Sequence, residues 1–286
     1  DGGVRDPQVH YDGKKILFSY RKGGTTNFLL YEINADGSGL KQLTFGKHDD
    51  IEPTYLPDGG IIFVSSRANR YVNCWMTQVA TLHRCEADGS NIRALSANVE
   101  HDNTPWVLPD GRILYTRWEY VDRSQVAYHH LWTMNPDGTN QMVYYGNQHP
   151  WMLMIDAKPL PDSNRIVALF SPGHGRPEHL GDVVTLSDAK GPDDLSVVEP
   201  LIEGADGRRG DRKFYRDPYP ITNSSFLLAS ERDILLMDGS GKKTTIYRND
   251  TMQMVNEPRP LMPRKRERII PSRTDYTQTT GKLILT

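Results

Sequence analysis

Three histidines occupy corresponding places in the sequence, each shortly before a short apolar segment. They are His48, His101 and His149. Imidazoles combined with carboxylates form the donor set of many transition-metal sites. If the apolar segments converge in space, these histidines could hold a divalent metal ion. Histidines at repeated positions also pack against neighbouring elements, and the spacing here is not that of a compact metal motif, so both interpretations stay open.

A second candidate is the stretch "SPGHGRPEHLGD", residues 171 to 182. Its glycines allow the backbone to approach a ligand closely, and loops held on a rigid framework are where binding residues concentrate. We therefore expect His174, His179 and Arg176 to be ligand-binding residues. The alternative is an irregular loop with solvated histidines.

Two arginines, Arg67 and Arg117, follow corresponding apolar segments and stand close to the aromatic residues Tyr71 and Trp118. A guanidinium beside an aromatic ring suits the recognition of carboxylates or sugars. Ion pairs between neighbouring structural elements would explain the same arginines.

Acidic residues recur at another set of corresponding positions, each at the start of a short segment. Five of six aligned positions are acids, followed in most cases by proline: Asp6, Glu52, Thr104, Asp156, Asp217 and Glu257. If the fold brings these positions together, like charges raise one another's pKa, and the ring that they form favours a cation or a basic ligand. The alternative is structural, with each acid accepting a hydrogen bond from a backbone N–H group of the next unit.

An internal repeat determines where these candidates lie in the sequence. The stretches "LPDGGIIFVSS" (residues 56–66) and "LPDGRILYTR" (residues 108–117) share a Pro-Asp-Gly turn followed by an alternating apolar strand. Each copy continues through a second strand and an Asp-Gly turn to a last short strand. We count six copies, at approximately residues 1–46, 47–98, 99–147, 148–204, 205–250 and 251–286.

Four short antiparallel strands per copy cannot bury both faces of one sheet, and packing the copies around an axis solves this problem. The sequence therefore predicts an all-β fold, a six-bladed β-propeller of four-stranded antiparallel blades with its last blade possibly incomplete. We expect residues 1–286 to form a single propeller domain within a longer chain, since the sequence does not begin with methionine.

Composition limits the function. The formal net charge is −2, from 34 basic and 36 acidic residues, without the basic surplus of a nucleic-acid-binding protein. No apolar run approaches the roughly 20 residues of a membrane span. Gly-x-Ser-x-Gly, phosphate-loop and His-Glu-x-x-His motifs are absent. Cys74 and Cys85 could form one disulfide bridge or stay free, and Cys85 occupies a core position of its repeat.

The repeat resembles that of TolB-type propellers, from the Pro-Asp-Gly turn to a closing Leu43-Thr44. Residues 146 to 184, "GNQHPWMLMIDAKPLPDSNRIVALFSPGHGRPEHLGDVV", and the later "NEPRPLMPR" resemble the middle propeller domain of the hydrazine synthase alpha-subunit family. The resemblance implies a long, secreted or periplasmic, multidomain protein with c-type haem motifs downstream. This chain has no Cys-x-x-Cys-His motif, so it implies no haem attachment here.

These observations favour a scaffold or binding domain that presents a loop-rich channel mouth to a partner protein or to neighbouring domains. Two alternatives remain open. One is a metal-dependent catalytic propeller, lyase- or hydrolase-like, acting on an anionic substrate. The other is a propeller that forms the wall of a redox centre whose haem is bound elsewhere.

Overall fold

The structure, a computed structural model, describes residues 2–171, 173–175, 179–202 and 215–282. Its strands form five antiparallel sheets of four strands, each in simple sequential order, and we call these sheets blades 1 to 5. Blade 1 contains β1 (Gly3–Val9), β2 (Lys15–Arg21), β3 (Leu29–Asn34) and β4 (Lys41–Gln42); blade 2 contains β5 (Asp50–Tyr55), β6 (Ile61–Ser65), β7 (Thr81–Cys85) and β8 (Arg93–Ala94).

The remaining strands repeat the pattern. Blade 3 contains β9 (Asp102–Val107), β10 (Ile113–Trp118), β11 (His129–Met134) and β12 (Met142–Tyr145); blade 4 contains β13 (Leu153–Pro159), β14 (Ile166–Ser171), β15 (Asp182–Leu186) and β16 (Glu199–Pro200); blade 5 contains β17 (Arg216–Thr222), β18 (Ser225–Ser230), β19 (Asp233–Asp238) and β20 (Lys243–Arg248). Short 3-10 turns lie at Ser66–Ala68 and Leu195–Val197. Within these ranges no helix has the length and apolar character needed to cross a membrane.

The prediction of six blades is wrong, because the sixth repeat forms no strand in its described residues, 251–282. The all-β class and the four-stranded antiparallel blades are as predicted. The sixth repeat carries prolines at 258, 260, 263 and 271 and a run of five charges at residues 264–268. Proline cannot donate a hydrogen bond to a strand ladder, and this segment therefore cannot build a sheet of its own.

The core lies between the blades. Apolar clusters join each blade to the next, from blade 1 through blade 5. The central blades bury both faces, and β6 and β14 are accordingly buried along their whole length. By contrast, every residue of β20 in blade 5 is exposed. Cys85 packs in the cluster between blades 1 and 2, which confirms it as a core residue.

The first strand of every blade carries a β-bulge at one repeated position. The pairing of each first strand with the second skips two residues there. The first skipped residue has a left-handed backbone, with φ between 48° and 57°, and Glu257 repeats this conformation beyond the last blade. These left-handed positions are Asp6, Glu52, Thr104, Asp156, Asp217 and Glu257. A bulge of this kind bends the strand and releases the N–H of that residue from the ladder.

Beyond Glu257 the chain forms an arm, residues 262–276, that crosses the ends of the blades bearing the Pro-Asp-Gly turns. The Arg264 N–H donates to the Tyr11 carbonyl (3.0 Å), and the Arg268 N–H donates to the Pro109 carbonyl (3.3 Å). Farther along, the Arg273 N–H donates to the Asp137 carboxylate at 2.5 Å. The arm therefore ties blade 1 to blade 3 across the turn side of the channel.

Two equivalent glycines allow the arm contact to be tested. Gly59 and Gly111 end the Pro-Asp-Gly turns of blades 2 and 3, and both have φ of 94°. A Cβ at Gly59 would meet no atom within 4 Å, whereas a Cβ at Gly111 would lie 2.2 Å from the Arg268 carbonyl oxygen. We expect Gly59→Ala to cost about 1–2 kcal/mol of unfolding free energy for the left-handed backbone alone.

Gly111→Ala should cost about 1–3 kcal/mol more than Gly59→Ala, because the arm must move to relieve the overlap. Urea denaturation measures both values, and hydrogen exchange at the Arg268 amide reports the arm directly. Equal costs for the two variants, with unchanged exchange at Arg268, would show that the arm does not rest on blade 3.

Candidate functional site

The six left-handed residues form a ring at one mouth of the channel, which we call the ring mouth. In five of the six steps around the ring, the N–H of one residue donates to the side chain of the preceding one. The five hydrogen bonds run from Asp6 to Glu257 (2.6 Å), Glu52 to Asp6 (2.8 Å), Thr104 to Glu52 (2.5 Å), Asp156 to Thr104 (3.2 Å) and Glu257 to Asp217 (2.7 Å). The acids thus accept backbone hydrogen bonds across the blades, as one of the two interpretations predicted.

The sixth step, between Asp156 and Asp217, has no such hydrogen bond. Asp156 is only 7% exposed, yet its Oδ2 atom makes no hydrogen bond to any residue that the structure describes. A buried carboxylate oxygen without a partner is costly. The ring therefore has a site at Asp156 that a donor or a cation can fill.

Charge is unevenly balanced around the ring. Arg5 lies 2.8 Å from Asp6 and 3.5 Å from Glu52, so one half of the ring already holds a guanidinium. Within the described part of the chain, Asp156 and Asp217 have no ion-pair partner, and Arg259 approaches Glu257 only to 4.0 Å. The Asp156–Asp217 half of the ring therefore lacks a paired cation among the described residues.

Burial makes the ionised acids of the ring unfavourable. Loss of water, followed by the nearby Asp6 carboxylate, raises the pKa of Glu52. Burial and the Asp156 carboxylate likewise raise the pKa of Asp217. Burial and Asp6 together raise the pKa of Glu257 to about 8. A bound cation would favour the charged forms of these groups and lower their pKa.

A cavity of about 630 Å³ lies over the ring and is also lined by His179, Arg216 and Asn256. His179 is exposed. The Arg216 guanidinium is turned toward the Met254 sulfur (3.2 Å) and the Asn256 amide oxygen (3.3 Å). It therefore does not neutralise the ring by direct contact.

A second cavity, of about 710 Å³, adjoins the first and shares Arg5, Glu52 and His179 with it. Its wall is a cluster of histidine and tryptophan. The His174 Nδ1 atom lies 3.0 Å from His129 Nε2, and the Trp118 ring stacks on His129 with centroids 5.1 Å apart. We call this region the aromatic cleft. It begins beside the acidic ring and opens toward exposed Trp75.

Two of the three predicted loop residues therefore line the cavities at the ring mouth. His174 lies in the aromatic cleft, and His179 lines both cavities. Arg176 lies outside the described residues. Sequence reasoning missed His129 and Arg5; His129 opens β11 after a variable loop, and Arg5 directly precedes the first ring residue.

The three histidines of the predicted metal site have separate surroundings. His101 accepts a hydrogen bond from the Ala80 N–H (3.1 Å), while the His149 Nε2 atom lies 2.8 Å from the Asp193 carbonyl. Nothing in the described residues groups three or more His, Cys, Asp or Glu side chains so as to hold a metal ion. Metal binding by His48, His101 and His149 stays a prediction without support from their placement.

The two predicted arginines have partners within their own blades. Arg67 pairs with buried Asp50 at 2.7 Å, and the Arg117 guanidinium lies over the Trp132 ring, 4.5 Å from its centroid. These contacts explain both arginines without a ligand, and ligand binding by them stays a prediction. The two cysteines are free, Cys74 exposed at the aromatic cleft and Cys85 buried.

The fold and the ring of interblade hydrogen bonds define a β-propeller, and comparison with known structures agrees with the resemblance read from the sequence. The structure is similar to that of Kuenenia stuttgartiensis hydrazine synthase, with a TM-score of 0.78 and 21% identity over 94% of this chain and 42% of that one. It is also similar to a putative TolB from Agrobacterium tumefaciens (TM-score 0.58, 16% identity, 86% of this chain and 80% of that one). TolB from Acinetobacter baumannii matches with a TM-score of 0.58 at 13% identity, over 86% of this chain and 55% of that one.

At these identities the structural likeness shows the fold. Sequence comparison adds a local match to the hydrazine synthase subunit alpha of Kuenenia stuttgartiensis, 41% identical over 58 residues, which is 20% of this chain and 7% of that protein. No protein-family model matches the chain. The resemblance to TolB-type propellers and to hydrazine synthase alpha is therefore confirmed.

The raised pKa of Glu257 predicts how stability depends on pH. An unfolded glutamate loses its proton near the ordinary value of 4.5, whereas folded Glu257 keeps it up to about pH 8. Between these values the folded state binds more protons than the unfolded state, so stability should fall as pH rises from 5 to 8. Glu257→Gln cannot ionise and should show a shallower fall. The matched control is Glu231→Gln, at an exposed glutamate with the same left-handed backbone, and it should keep the wild-type slope in thermal melts; identical slopes for both variants would contradict the assignment.

The cysteines give a separate test of the cleft. Burial raises the pKa of the Cys85 thiol to about 12, which makes it unreactive at neutral pH. Ellman's reagent should therefore titrate one thiol in the folded protein and two after unfolding, and Cys74→Ser should abolish the first reaction. No fast thiol in the folded wild type would place Cys74 in a different environment.

Proposed function

We propose that this propeller is a binding domain whose ring mouth receives a basic group, from a partner protein or from a neighbouring domain of a longer chain. The observation that carries the proposal is the Asp156 carboxylate, buried at the break in the ring with its Oδ2 unpartnered among the described residues. A guanidinium or ammonium group supplies the donors and the charge that this oxygen lacks.

Arg5 supports the choice of a cation. Its guanidinium occupies the Asp6–Glu52 half of the ring, in contact with both carboxylates. The Asp156–Asp217 half offers a similar pair of acids without a cation at ion-pair distance in the described residues. A second guanidinium there would give both halves of the ring the same arrangement.

The aromatic cleft supports a guest longer than a single head group. Trp118, His129 and His174 form a cluster of rings next to the ring mouth, with Trp118 stacked on His129 and His174 tilted by 53° to Trp118. Exposed Trp75 lies at the opening of the cleft. Aliphatic stems of lysine and arginine pack well on such rings. A side chain presented by a partner would place its charge on the ring and its neighbours in the cleft.

The wider context follows from the resemblance. The matched stretch is 7% of the curated hydrazine synthase alpha protein, and this chain covers 42% of the solved hydrazine synthase chain. A propeller that is one part of a long protein suits the role of a docking platform. The same resemblance supports a periplasmic or secreted setting, which is part of this proposal.

The proposal is tested with blocked arginine, N-acetyl-arginine amide, and its neutral counterpart N-acetyl-citrulline amide. NMR titration of the wild-type protein should show binding of the arginine compound and little binding of the citrulline compound. Asp156→Asn should weaken the binding of the arginine compound by at least about fivefold, because the variant loses an ion pair that contributes about 1 kcal/mol. Asparagine tolerates the left-handed backbone, so this variant should fold.

Asp250→Asn is the matched control, since it removes the same charge from an exposed residue that follows β20. It should bind like the wild type. Equal binding of the two probes, or equal weakening by both substitutions, would overturn a specific site at Asp156.

A further inference from the structure

The opposite end of the channel contains a separate cavity of about 390 Å³, which we call the turn mouth because it lies among the Pro-Asp-Gly-type turns. Two aromatic rings, Trp106 and Tyr219, together with Leu160 and four prolines give it apolar walls. The arm forms one side through residues 264–267. A volume of this size is within the usual range for small-molecule sites.

The polar groups of the turn mouth are mainly cationic. Lys158 is 3% exposed, and its ammonium nitrogen lies 5.4 Å from the Trp106 ring centroid. The arm adds Arg264, Lys265 and Arg266. Two acids belong to the lining. The Glu267 carboxylate already accepts hydrogen bonds from the Arg264 guanidinium (2.6 Å) and the Tyr11 hydroxyl (2.5 Å). Asp162 is exposed at the rim.

Lys158 donates fewer hydrogen bonds than its ammonium group can. An ammonium group has three N–H donors, and in the described residues Lys158 donates only to the Asp156 carbonyl, at 3.2 Å. No carboxylate among those residues lies within ion-pair distance of it. The buried Arg259 side chain, below the ring, adds a second positive charge. Its Nε atom has no hydrogen-bond partner in the same residues.

We propose that the turn mouth binds a small organic carboxylate with a flat apolar body. The carboxylate accepts hydrogen bonds from the Lys158 ammonium, and the body lies against Trp106 and Tyr219. The cavity opens at the other end of the channel from the ring mouth, and its inner end is the Lys158 ammonium, which donates to the Asp156 backbone carbonyl. The two proposals are tested with different probes and different variants, so either can fail without the other.

The charges around Lys158 set the pH range of this binding. Burial, and then repulsion from Arg259, lowers the pKa of Lys158 to about 8, although Asp156, Asp217 and Glu257 act in the opposite direction. The ammonium is therefore present at pH 7 and largely lost at pH 9.5. Carboxylate affinity should fall across this interval.

Benzoate is the probe, and benzyl alcohol is its neutral counterpart of similar shape. Calorimetric or NMR titration at pH 7 should give a benzoate Kd on the order of 1 mM, the strength of a fragment with few atoms. Benzyl alcohol should bind at least about tenfold more weakly, since hydrogen bonds to a charged group contribute roughly 1.5–3 kcal/mol.

Lys158→Met should reduce benzoate affinity by a similar factor and remove its pH dependence, while Lys242→Met, at an exposed lysine, should change neither. Thermal melts establish that Lys158→Met is folded. If that variant does not fold, Trp106→Leu replaces it. Trp106→Leu should weaken benzoate binding, because it removes part of the aromatic wall.

The proposal is overturned if benzoate does not bind, if benzyl alcohol binds equally well, or if the folded Lys158→Met protein keeps the wild-type affinity.

Discussion

The structure depends on a hydrogen bond between a left-handed backbone N–H and the side chain of the preceding blade. A left-handed residue other than glycine costs about 1–2 kcal/mol, and this chain has six of them at one repeated position. Four of the five observed links use a carboxyl acceptor. Such hydrogen bonds contribute roughly 0.5–1.5 kcal/mol each with a neutral acceptor and roughly 1.5–3 kcal/mol with a charged one. Gain and cost are of similar size, so the main effect of the ring is to fix the orientation of each blade against the next.

This way of joining blades concentrates negative charge at one end of the channel. The acids that hold a neighbouring backbone are buried or half-buried near other carboxyl groups. The raised pKa values of Glu52, Asp217 and Glu257 follow first from loss of water and then from that crowding. Lys158 and Arg259 lie just below the ring, and the basic arm closes the far end. The channel is therefore polarised along its axis, acidic at the ring mouth and basic at the turn mouth.

The sequence was informative where the repeat is regular. The Pro-Asp-Gly turns set the phase of each first strand, and aligning on them placed Asp6, Glu52, Asp156 and Asp217 at one mouth, with Thr104 and Glu257 between them. Alignment could not give the number of blades, because Glu257 keeps the ring position while its prolines and charges prevent strand formation. It also could not find the pairing of His129 with His174, which are 45 residues apart and come from blades 3 and 4.

The irregular parts of the repeat explain why the candidate sites are where they are. In blades 2, 3 and 4 the link between the second and third strands is long. The links of blades 2 and 4 line the cleft through Trp75 and His174, and blade 3 contributes Trp118 and His129 from the strand ends on either side of its link. A regular repeat would give equal blades and a symmetric channel mouth. Because the long links lie on three consecutive blades, the described residues give the opening over the ring an aromatic wall on one side. The broken link at Asp156 belongs to the blade that carries the His174 loop, which places the unpartnered oxygen and the aromatic wall within reach of one bound molecule.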